Sequence, residues 1–209
     1  LNKNAVKTSN SLSELYDSRD LLAVLTRNVV NSNEFLNSYT DKEKDILGKY
    51  SSNLFTLNTF YTANRYILKS DVTESKEDNE TFLRNYWDNV TANMVQWQEL
   101  INKEISKVDL RENYIATQGI VIQALGRVGR YFYDNRDEDL KLKLKSLKNI
   151  NWHRNAKQWK NRAIRDNGRI ITNKHAAILI GNIIKKALNL KLTDDEQLEE
   201  TRFKNNGKV

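Results

Sequence analysis

Proline and cysteine are both absent from this 209-residue chain, and glycine occurs only seven times. Without cysteine there is no disulfide framework, no thiolate nucleophile and no thiolate metal site. Without proline, and with so little glycine, a turn-dense β architecture is disfavoured and long uninterrupted helices are favoured. The two histidines, His153 and His175, lack the spacing of a zinc site. No apolar run approaches the roughly 18 residues of a membrane span, and the opening residues lack a secretory core. These absences point to a soluble, cytoplasmic protein with no membrane partner. No nucleophile elbow, phosphate-loop or kinase pattern can be read either, so catalysis has no positive support and no cofactor is expected.

Acidic residues are scarce in one place above all. Between Lys141 and Lys174 eleven Lys or Arg residues face a single acid, Asp166, in a chain whose net charge is only +7. The remainder is therefore mildly acidic, and the cations are concentrated. Such a segment calls for a polyanionic partner. Taken as a helix over 155–165, it gathers Ala156, Trp159 and Ala163 on one side and Arg154, Lys157, Arg162 and Arg165 on the other. A row of guanidinium forks of that kind suits phosphate oxygens. Lys160 sits at the flank, while Arg127, Arg130, Arg169 and Lys174 extend the candidate DNA-binding set. The competing reading is a solvated charged face, which the shortage of interleaved acids and the share of arginine argue against.

Along the chain, residues 1–10 read as an arm. A single helical domain is expected over 11–192, and an acidic helix and tail over 193–209. Ser11 with Glu14 and Thr40 with Glu43 have capping-box spacing. Leu21 to Val30 and Leu54 to Leu68 repeat at helical intervals. Residues 70–80 are acidic and read as a solvated loop rather than a carboxylate metal cluster. From about 80 to 105 an aromatic stripe including Phe82, Tyr86, Trp87, Met94, Trp97 and Ile101 predicts one long amphipathic helix, with Val95 alone off the stripe. Gly119, Gly126 and Gly129 fit no phosphate-loop pattern and read as sites of close helix approach. Leu140, Leu144 and Leu147 share a helical face. Thr172 is placed to cap a buried helix over about 173–188, and Thr193 with Glu196 to cap the last. The fold class is predominantly α, a multi-helix bundle. A helix-turn-helix around Asn167 is a weaker reading, because its second helix is too apolar to lie in a groove.

Scattered residues resemble the DndB family of DNA sulfur modification proteins. They include Asn2 to Ser9, Leu15 to Asp20, the Leu-Phe-Thr-Leu run at 54–57, Tyr114 to Thr117 and Ala124-Leu125-Gly126. Ile150-Asn151-Trp152, Asn155, Trp159, Arg162 and Leu192-Thr193 complete the set. The family's Asp-Gly-Gln-His-Arg signature, in an N-terminal part related to ParB-like domains, is absent, so the chain resembles the helical C-terminal portion. The resemblance implies a DNA-binding transcriptional regulator of phosphorothioate modification, with duplex DNA and other proteins of that system as partners. A protein-interaction module, or a fragment of a nuclease or nucleotide hydrolase, are the alternatives.

Overall fold

Ten α-helices, two short 3₁₀ helices (Lys145–Asn149 and Lys157–Trp159) and one pair of two-residue strands make up the regular structure of the computed structural model, which describes residues 19–48, 50–69 and 75–206. The arm at 1–10, the Ser11 cap and part of the acidic stretch at 70–80 lie outside the described residues. The helices are α1 (Leu21–Ser32), α2 (Glu34–Tyr39), α3 (Leu57–Leu68), α4 (Lys76–Asn93) and α5 (Val95–Ile101). They continue as α6 (Lys107–Asn113), α7 (Gly119–Asp134), α8 (Leu140–Leu144), α9 (Lys174–Ala187) and α10 (Asp194–Asn206). Strands β1 (Thr40–Asp41) and β2 (Phe55–Thr56) pair in parallel, Thr40 with Phe55. The protein is predominantly α.

Glycine decides how closely the central helices approach. A methyl group at Gly126 would lie 2.5 Å from the Ala63 carbonyl oxygen, and one at Gly129 would lie 2.8 Å from the Ile67 side chain. Any Cβ at Gly126 would push two backbones apart. Gly119 neighbours Thr59 in the same order, so α3 and α7 run parallel with their N-termini at one end. Helix α9 crosses α7 at Gly181, close to the Ala124 carbonyl. Around this centre α4 lays Phe82, Leu83, Tyr86, Trp87 and Val90 into the core. The buried Trp87 indole donates to Asn64 Oδ1 at 2.8 Å, and Asn64 donates in turn to Thr26 Oγ1 at 3.1 Å. These bonds satisfy the polar groups that tie α1, α3 and α4 together. Trp97 stacks on Phe35 at 5.1 Å and extends the aromatic core to α2.

Three local readings are corrected. The stripe over 80–105 is two helices, α4 and α5, separated by Met94 in an extended conformation. Gln98 donates its amide to the Thr91 carbonyl at 2.8 Å, so a carbonyl freed by the break is not orphaned. Val95, the residue off the stripe, is the first of the new helix. Thr40 caps nothing. It lies in β1, and Asp41 instead accepts from the amides of Glu43 and Lys44 in a loop. Asn173 rather than Thr172 caps α9, accepting from the Ala176 amide at 2.8 Å.

The largest correction concerns 155–165, which is not an α-helix. Only Lys157–Trp159 forms a short 3₁₀ turn. Side chains compete with the helical ladder here: Asn151 Oδ1 accepts from the His153 amide, and His153 Nδ1 accepts from the Asn155 amide. Asn161 then takes φ +59, a left-handed conformation that ends any helix. The apolar side was nevertheless read correctly. Trp159 and Ala163 are fully buried, and Trp159 stacks on Trp152 at 5.4 Å.

Candidate nucleic-acid interface

The nine candidate cations divide by what neutralises them. Arg162 is the clearest structural case. Its guanidinium grips Glu200 of α10 through two bonds of 2.8 and 2.6 Å and covers the Phe203 ring at 4.1 Å. Glu200 also accepts from Lys186 at 3.0 Å and Asn182 at 3.3 Å. Burial pushes this carboxyl up, but the bonds from Arg162, Lys186 and Asn182 outweigh it and bring the pKa down to about 2. Arg162 thus fastens the last helix to the body. Arg154 is half-buried against the α6 backbone, donating to the Arg111 carbonyl at 3.3 Å, and burial lowers its pKa. Neither side chain is displayed outward as the helical reading supposed.

Three others share one groove of about 920 Å³ between the C-terminal ends of α3 and α7, the start of α9, and α10. Arg127 stands 4.3 Å over the Tyr66 ring with its Nε buried and unpartnered. Arg130 is tied to Asp134 at 2.8 Å and also donates to the Ile67 and Leu68 carbonyls, closing the end of α3. Lys174 opens α9 and is exposed. Sequence reasoning missed two further exposed cations that line this groove, Lys69 and Lys191. Among the described residues, Arg127, Lys69, Lys174 and Lys191 make no ion pair. Lys69 lies far outside the basic segment, at φ +55 where α3 ends, and its local sequence carried no signal.

The groove also carries carboxylates. Lys185 is paired with Glu196 at 2.7 Å, and Glu199 is shared by His175 at 2.8 Å and Arg202 at 2.9 Å. The bond from His175, with that from Arg202, holds the Glu199 carboxyl below its ordinary range. His175 is exposed.

The last group lies just before α9. Ile164 and Ile170 form an antiparallel bridge, and the Arg165 amide donates to the Arg169 carbonyl at 2.9 Å. Gly168 at φ +78 makes the turn possible. Arg165 and Arg169 therefore stand exposed at the tip of a small hairpin, and Lys160 beside them pairs with Asp166 at 3.2 Å. Lys157 is exposed in the 3₁₀ turn. Lys174 is five positions beyond Arg169, so hairpin and groove lie within roughly 17 Å of one another.

Fold and surface together define a helical protein with a pinned acidic last helix beside a groove and hairpin that retain unneutralised cations. The family model for DndB, described as DNA-sulfur modification-associated, matches residues 1–191, and the chain belongs to that family. No curated protein and no solved structure matches it. No described helix is long and apolar enough to cross a membrane.

Proposed function

We propose that this chain is a DNA-binding regulator of phosphorothioate modification, and that it holds the backbone of duplex DNA on the α3–α7–α9 groove and the adjoining hairpin. The observation that carries the reading is the gathering of Arg127, Lys174, Lys69 and Lys191 around one groove with no carboxylate on any of them. Arg165 and Arg169 continue the surface at the hairpin tip. Membership of a DNA-sulfur modification-associated family supports a nucleic-acid partner. Such contacts supply affinity and register, not sequence discrimination, so promoter choice requires other groups.

The test is gel retardation of a duplex by the quadruple variant Arg127→Glu, Arg165→Glu, Arg169→Glu, Lys174→Glu. None of the four is fully buried, so circular dichroism should be unchanged while retardation is lost. Retained retardation with the fold intact rules the surface out. Docking of an acidic protein is separated by salt. Six or more phosphate contacts cost roughly a thousandfold in affinity between 50 and 200 mM salt.

A further inference from the structure

At the opposite end of α7 a second cavity, about 710 Å³, opens between the N-termini of α3 and α7, helix α6 and the loop residues 45–48 and 50–54. It shares no cation with the groove. Its size falls within the roughly 300–1,000 Å³ of ordinary ligand pockets.

The floor is built for an anion. Helix α7 starts without a side-chain cap, since Gln118 makes no capping bond. The Val121 and Ile122 amides both return to the Gln118 carbonyl, which leaves the Gly119 and Ile120 amides without an acceptor among the described residues. The parallel α3 brings a second positive helix end to the same cavity. Thr117, 6% exposed, lines the floor, and its hydroxyl has no partner among the described residues. Gly119 adds an independent sign. The Ala63 backbone forbids a side chain at Gly126 and the Ile67 and Tyr86 side chains crowd one at Gly129, but among the described residues a Cβ at Gly119 would meet only one atom, at 3.9 Å. No described residue needs that glycine to be bare, whereas a phosphate approaching the backbone would.

The mouth carries exposed apolar side chains. Tyr50 is 89% exposed, with Ile46 (85%) and Val108 (59%) lining the same cavity. Their loop is fixed by Arg111, which itself lines the cavity, and by Lys107. Arg111 donates to the Ser51 and Asn53 carbonyls and Lys107 donates to the Ser52 carbonyl at 3.1 Å. Two carboxylates, Asp45 and Glu112, stand at the rim. A lone phosphate would leave the apolar wall bare, and a purely apolar ligand would leave the amides and the Thr117 hydroxyl unsatisfied.

We propose that this cavity is a nucleotide site. The phosphate sits on the Gly119 and Ile120 amides and the Thr117 hydroxyl, the base stacks on Tyr50, and Glu112 accepts a hydrogen bond from an exocyclic amino group. The nucleotide is either free or an unpaired base at the end of a strand. Gly119 lies eight residues before Arg127, about 12 Å along α7, so a strand held in the groove could reach it.

The experiment is calorimetric titration of the full chain with each 5′-deoxymononucleotide and with inorganic phosphate. At least one nucleotide should saturate, with phosphate at least about tenfold weaker. Tyr50→Ala and the isosteric Thr117→Val should each weaken binding about fivefold or more with unchanged melting temperature. Competition by a duplex with a single-stranded overhang, but not by a blunt duplex, assigns the site to strand ends, and lack of competition assigns it to the free nucleotide. Absence of saturable binding to any nucleotide, or unaltered binding by both variants, overturns the proposal. The groove variant Arg127→Glu should lose duplex retardation and keep nucleotide binding, so failure of one reading leaves the other standing.

Discussion

The helical body and the segment from Asn151 to Asn173 are built on different rules. In α4 and α7 the buried face repeats with the helical period and every large apolar side chain on it finds the core. In the basic segment three buried anchors, Trp152, Trp159 and Ala163, hold a backbone otherwise shaped by side-chain bonds from Asn151, His153 and Asn167. Packing constrains the first region at every turn of helix. It constrains the second at only a few points, and leaves its charged residues to face solvent, pair or dock as local geometry allows.

The sharpest way to break this contrast is to perturb the body where it has no slack. Gly126→Val places a side chain against the Ala63 backbone and should cost about 3 kcal/mol or more, lowering the melting temperature by roughly 6–12 °C. Helix α10 should respond to acid instead. Its anchor Glu200 has a folded-state pKa of about 2 against 4.5 for the free side chain, so its contribution is complete above pH 4.5 and disappears as pH falls toward 2. The margin by which the native chain exceeds Glu200→Ala, roughly 3 kcal/mol at neutral pH, should therefore shrink across that window in urea titrations. At the other extreme, Arg165→Ser with Arg169→Ser touches only exposed side chains. Stability should stay within about 0.5 kcal/mol of native while duplex affinity falls.

What could be read from sequence follows the same division. The α class, the aromatic stripe and the buried α9 rest on periodicity, which packing enforces, and so they were legible. The break at Met94 was visible only as the misfit of Val95. The three glycines of α7 looked alike in sequence. Only contact with Ala63 and Ile67 separates Gly126 and Gly129 from Gly119, which opens on a cavity instead. For the cations, charge alone did not distinguish Arg162, bound to Glu200 thirty-eight residues away, from Arg165 at a hairpin tip. Lys69 and Lys191 could not be assigned from local sequence, because tertiary packing alone brings them to the groove.

Membership of the DndB family sets the nucleic-acid context, and the surface reading turns on which positive charges remain available. The most direct measurement is the slope of log affinity for duplex DNA against log salt concentration, taken for single neutralised variants. Lys69→Gln and Lys174→Gln should each reduce the slope by about 0.9, while Arg130→Gln, whose charge is already met by Asp134, should leave it unchanged. Equal slopes for the native chain and the two lysine variants would contradict a DNA interface on this groove.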